Sequence, residues 1–139
     1  INDKEHLDEW ICKEQMGLIL KVKKQSKTWE EKFLSVFTLM LSEKVFITNI
    51  YHSISLEILR NSLYRLVYPI IYEEIDKISQ KENFEEQEKI FITDFYKYAF
   101  VAIVLDWIKN DMQEDPKMIV DKVSNLVTGT IKHACLAMK

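Results

Sequence analysis

Glycine and proline are scarce, with two of each in 139 residues. That supply is too small to punctuate a many-turned β-sandwich. Gly17 and Gly129 also stand alone, which leaves almost no room for a glycine-rich phosphate loop or a Rossmann-type nucleotide site. Cysteine is limited to Cys12 and Cys135, far apart, with no C-x-x-C pair and no secretory signal. This usage reads as reduced thiols in a cytoplasmic protein. There is no basic excess: 19 Lys+Arg against 22 Asp+Glu leave a net charge of −3, so nothing suggests a duplex-binding surface. Arginine itself numbers 2 against 17 lysines, and with 17 isoleucines the bias suggests an AT-rich, bacterial coding sequence. The longest strictly apolar run, Tyr98 to Leu105, has eight residues and cannot cross a bilayer, so no membrane partner is expected. The first residue is Ile1 and not Met, which suggests a piece of a longer protein.

What is present is a core supply for one all-α domain. Hydrophobic residues make up 47% of the chain and aromatics 12%, which argues against disorder. Caps and periodicity place six helical segments. The first begins near Asn2 and Glu5 and carries Leu7, Ile11, Leu18 and Val22 at helical spacing. Glu14 and Gln15 interrupt its stripe, Gly17 suggests a bend or close packing, and Lys21, Lys23, Lys24 and Lys27 suit a helix C-terminus. The second segment opens on Thr28-Trp29-Glu30-Glu31, a capping box, followed by Phe33, Val36, Phe37, Met40 and Leu41 on one face.

A short third segment, about 44–52, carries Phe46, Ile50 and Tyr51. Ser53 or Ser55 can cap the fourth, which runs from Leu56 to Ile78 and contains Pro69, expected to bend it. A polar connector follows, with Asn83 and Glu86 as a cap pair for a fifth helix over about 84–110. The stretch from Tyr98 to Leu105 is apolar on every face and must be covered on all sides. In a domain this small, one side can pack on the core while the other calls for a partner. Asp115-Pro116 then starts a sixth helix carrying Ile119, Val120, Val123, Leu126, Val127, Thr130, Ile131 and Ala134.

The segment from Phe95 to Leu126 resembles the last two helices of TetR-type transcriptional regulators. The resemblance is carried by Phe95-Tyr96, Tyr98-Ala99, Leu105-Asp106-Trp107-Ile108-Lys109-Asn110-Asp111-Met112, Asp115-Pro116 and Ile119. The nearest pattern is that of the small Gram-positive regulators that include the activator of a dihydroxyacetone kinase operon. It has an aromatic-rich helix ending in Trp, an Asn-Gly-Met-like turn and a Ser/Asp-Pro helix start. Asp111 stands where that pattern has glycine. The opening run from Asp3 to Trp10 is similar to the helix that follows the DNA-binding helix-turn-helix in the family.

The resemblance implies that residues 1–139 form one ligand-binding and dimerisation domain, with the helix-turn-helix upstream. It implies a homodimer built as an intersubunit four-helix bundle from the last two helices, with Tyr98, Val101, Ala102, Leu105, Val120, Val123, Val127 and Ile131 at the seam. It implies an unknown small effector in the helical core, near Phe37, Tyr51, His52, Tyr64, Tyr68 and Tyr96. Effector binding would shift the population between two spacings of the DNA-reading heads. Operator DNA would be contacted only through the missing N-terminal domain.

The residues leave alternatives open. His52 can satisfy carbonyls at a helix end or face a pocket, and the tyrosines can fill core or touch ligand. Of the three histidines only His6 has an acidic residue three positions before it, Asp3, so no metal and no cofactor is expected. His133 and Cys135, two apart, point to different helix faces, and no nucleophile with a matching base emerges, so no enzymatic activity is expected. Two rivals to a DNA-binding regulator remain. One is a TetR-like coactivator that binds another protein instead of DNA. The other is a free-standing helical enzyme or carrier, which would demand clustered titratable groups that the sequence does not supply.

Overall fold

The computed structural model describes residues 28–137 together with 5–7, 9, 10 and 13, and among these residues the chain is helix and turn without strands. The all-α class read from the sequence is what the structure shows. Gly17, Glu14, Gln15, Cys12 and the lysines from Lys21 to Lys27 lie outside the described residues, as do the side chains of Ile131, Ala134 and Cys135. Ahead of the main body, residues 5–7, 9, 10 and 13 are helical, and Leu7 is fully buried.

Helix α1, Trp29–Ser42, starts where the capping box places it. The Thr28 hydroxyl accepts a hydrogen bond from the Glu31 backbone N–H at 3.2 Å and satisfies one amide that has no partner inside the helix. Helix α2, Lys44–Tyr51, follows at about 90° to α1. Helix α3, Leu56–Ser79, runs through Pro69 without ending. Pro69 is on the exposed side, where solvent can take the Arg65 carbonyl that loses its donor.

The connector departs from expectation. Asn83 does not pair with Glu86 as a cap. It has a φ of +54° and donates its backbone N–H to Ser79 at 2.8 Å, so it terminates α3, and Glu85 occupies the N-cap of α4, Glu86–Lys109. Asparagine tolerates this left-handed conformation better than most residues.

Helix α4 ends in a Schellman motif. The Met112 N–H donates to the Trp107 carbonyl at 2.9 Å and the Asp111 N–H to the Ile108 carbonyl at 3.0 Å. Asp111 and Met112 pay for it with φ values of +62° and +54°. The Asp115 side chain then accepts from the Lys117 N–H at 3.1 Å, with Pro116 at the first turn, and opens α5, Pro116–Val127.

The single last helix expected through Ala134 is two helices. Thr128 adopts an extended conformation and Gly129 has a φ of +83°, which separates α5 from α6, Thr130–Ala137. Only glycine takes that conformation without steric cost, so the break sits where the sequence permits one.

Helices α3 and α4 make the most extensive contact in the fold, and α5 rests chiefly on α1. Large rings bridge α1 and α4. Phe33 lies 4.6 Å from Phe100 between centroids, and Phe37 lies 4.9 Å from Trp107. The Trp107 indole N–H donates to the Glu114 carbonyl at 2.8 Å, so its one polar group is satisfied as the ring is buried. Polar ties cross the same seams: Lys32 on α1 meets Glu73 on α3 at 2.7 Å, and the Ser124 hydroxyl on α5 donates to Glu30 on α1 at 2.9 Å.

Candidate functional site

The six residues assigned to an effector pocket fall in three places. Phe37 is part of the aromatic core, and Tyr96 is buried beside Phe100. Tyr51 and His52 meet edge to face at 5.1 Å where α2 ends. On the same short helix the Thr48 hydroxyl is buried with no hydrogen-bond partner among the described residues. Tyr64 and Tyr68 line a groove of about 400 Å³ along the outer seam of α3 and α4, together with Arg65, Pro69 and Lys97. No described cavity brings all six together.

That seam is chemically the richest part of the surface. Tyr64, Tyr68 and Tyr72 repeat every fourth residue and so share one face of α3. Tyr68 stacks on Tyr72 at 6.0 Å, and Tyr64 meets Tyr98 of α4 edge to face at 5.4 Å. The Tyr72 hydroxyl donates to Glu86 at 2.6 Å, and Lys89 lies 2.9 Å from Glu86 and 3.1 Å from Asp76. These bonds hold the Glu86 carboxyl below the usual glutamate range, through Tyr72 first and Lys89 second. The same partners hold the Lys89 ammonium above the usual lysine range, Glu86 contributing most. The Tyr72 phenol is pushed up by its bond to Glu86. Burial, followed by the nearby Asp94 and Glu86 charges, pushes up the Tyr68 phenol.

Of the eight seam residues, the Ile131 side chain lies outside the described residues and the other seven divide by burial. Val101, Leu105, Val120 and Val123 are packed inside this chain, none more than 8% exposed. Tyr98 and Ala102 are exposed, and Val127 is half-buried. Around them, α4 presents a stripe that runs Phe91, Phe95, Tyr98 and Ala102 at helical spacing, with Phe91 and Phe95 each 65% exposed and Tyr98 54% exposed. The stripe ends in a groove of about 640 Å³ whose apolar floor includes Ala102, Ile103, Trp107 and Ile119, with Asp106 and Glu114 at its edge. Among the described residues no three His, Cys, Asp or Glu side chains converge as a metal site would require. No single described helix is long and apolar enough to cross a membrane.

Residues 27–129 match the family described as the transcriptional regulator C-terminal region of TetR type, a span of more than half the chain. The chain belongs to the TetR family. Neither the curated proteins nor the solved structures provide a match. The TetR match opens at the capping box of α1 and closes at Gly129, where α5 gives way to α6. Sequence reasoning missed Tyr72 and Lys97 at the tyrosine seam and Phe91 on the α4 stripe. The four-residue spacing of Tyr64, Tyr68 and Tyr72 was a readable signal for the first. Lys97 has local partners in Asp94 and Tyr98, but Tyr64 and Tyr68 reach it only through the pairing of α3 with α4.

Proposed function

We propose that this TetR-type region is the effector-sensing and dimerisation domain of a bacterial cytoplasmic transcription regulator. In this reading the homodimer positions two DNA-binding heads supplied by an N-terminal helix-turn-helix domain. A small ligand held among the helices biases their spacing. The role is regulatory and not catalytic.

The observation that carries the dimer is the α4 stripe. Three large aromatic residues in a line, more than half exposed, form an apolar patch of the kind that soluble proteins use as an interface. The adjoining groove offers a concave seat for residues of a second copy. The seam is thereby moved outward from the sequence expectation: Tyr98, Ala102 and Val127 remain in it, joined by Phe91 and Phe95, while Val101, Leu105, Val120 and Val123 serve as the wall behind. The unpartnered Thr48 hydroxyl, next to Tyr51 and His52 on α2, supports a polar group being received in that region. The left-handed conformation of Asp111, at the turn where the dihydroxyacetone kinase activator pattern has glycine, supports membership of that subgroup.

Native mass spectrometry and sedimentation of the chain and of Phe95→Glu test the dimer. Phe95 is mostly exposed and meets the core only through its edge-to-face contact with Tyr96 at 5.3 Å, so the substitution should leave the fold intact. The expected result is a wild-type species near twice 16.6 kDa and a helical, monomeric variant. A wild-type monomer at micromolar concentration, or a variant that dimerises as well as the wild type, overturns the reading.

A further inference from the structure

Lys97 does not extend into water, although it lies on the outer seam of α3 and α4. Its side chain is only 15% exposed, and its ammonium is 4.5 Å from the Tyr98 ring centroid, 5.0 Å from Tyr64 and 5.8 Å from Tyr68. Asp94 completes the enclosure at 3.2 Å. Each ring is within the roughly 6 Å over which an aromatic face attracts a cation. Three rings and a carboxylate converging on one positive charge is a general solution for holding organic ammonium ions. Here the chain's own side chain shows what chemistry the enclosure accepts.

The groove beside the ammonium, about 400 Å³, gives a ligand a way in. Arg65 at its margin is engaged with the Ser62 hydroxyl at 3.2 Å. After burial, the Asp94 and Glu86 charges push up the Tyr68 phenol, with the Lys97 ammonium opposing them.

We propose that the enclosure formed by Tyr64, Tyr68 and Tyr98 is a binding site for a small organic ammonium ion, and that Lys97 occupies it when the ligand is absent. A methylated ammonium is bulkier and less strongly hydrated than the lysine head group, so it can take the enclosure while the flexible Lys97 stem swings into solvent. Tyr98 belongs also to the exposed α4 stripe, so the occupant of the enclosure is in contact with the proposed dimer surface. The site lies apart from the α2 region around Thr48 and gives the proposed function a second ligand place, of stated chemical class. It rests on that reading for its biological use, and on its own geometry for binding.

Tetramethylammonium chloride, titrated into the chain with ¹³C-labelled tyrosine rings and followed by NMR, tests it, with sodium chloride at equal ionic strength as the reference. Saturable shifts are expected at Tyr64, Tyr68 and Tyr98, and none at Tyr51 or the buried Tyr96. Lys97→Met removes the internal competitor and should bind at least tenfold more tightly than the wild type. Tyr98→Leu in that background should abolish saturation. If Lys97→Met loses its helical circular dichroism, Lys97→Gln serves the same purpose. Equal affinity in wild type and variant, the same shifts with sodium chloride, or shifts shared by Tyr51 would overturn the proposal. Ring shifts without a dimer would remove the proposed function and leave the ammonium site standing. A dimer without ring shifts would do the reverse.

Discussion

Replacing Asp111 should reverse the usual ranking of glycine and alanine in this protein. Asp111 is the left-handed residue of the Schellman motif that ends α4, with a φ of +62°, and its N–H donates to Ile108 at 3.0 Å. A Cβ in that conformation costs roughly 1–2 kcal/mol. Glycine avoids this cost but loses about 0.4–1 kcal/mol through the greater freedom of its unfolded chain. Asp111→Gly should therefore be more stable than Asp111→Ala by about 1 kcal/mol, a difference of roughly 3–5 °C in Tm for a chain of this size. Both variants lose the same ion pair, Lys44 to Asp111 at 3.6 Å, and with side chains 42% and 61% exposed it contributes little. The comparison thus isolates the Cβ. Inside an ordinary helix the order is the opposite, with alanine ahead by about 1 kcal/mol. Urea and thermal unfolding followed by circular dichroism measure the difference. Alanine equal to or above glycine would refute the left-handed turn and the helix ending built on it.

Tyr72→Phe removes a bond from a phenol to a carboxylate at 2.6 Å, and its effect should depend on pH at both ends. The lowered Glu86 pKa contributes stability above the unfolded value, lost as pH falls through the folded one. The raised Tyr72 pKa contributes stability below the ordinary tyrosine value, lost as pH rises through the folded one. The urea-midpoint difference between wild type and variant should accordingly be largest near neutrality and shrink toward both extremes; a flat difference would sink the assignment. Lys32 is nearly buried and Glu73 half exposed, so Glu73→Ala, which strands the ammonium, should cost about 1–2 kcal/mol, whereas Lys32→Met should stay within about 1 kcal/mol of wild type. Equal losses by denaturant titration would contradict that asymmetry. Val123 is 5% exposed, so Val123→Glu should cost several kcal/mol or unfold the chain even when it is monomeric. A folded monomer of undiminished Tm would show that Val123 does not belong to the core.

Local chemistry written in neighbouring residues was legible without the structure. Thr28 with Glu31, and Asp115 with Pro116, start their helices where the residue types require, because a cap acts over three or four residues. The all-α class followed from the scarcity of glycine and proline and from apolar periodicity. Two boundaries were misread for a related reason: Asn83 and Gly129 can each either continue a pattern or leave it through a left-handed conformation, and the surrounding packing decides between the two. The larger decisions belonged to the tertiary structure. Periodicity marks a face as apolar without saying what covers it, so Val101 and Phe95 look alike on α4, yet one is inside this chain and the other is on its surface. Tyr64 and Lys97 are 33 positions apart and acquire a common environment only when α3 packs on α4 in one register. Capping and helix formation are settled by short-range bonds that a sequence spells out. Which faces meet, and which charges and rings thereby converge, is settled by contacts between residues far apart in the chain.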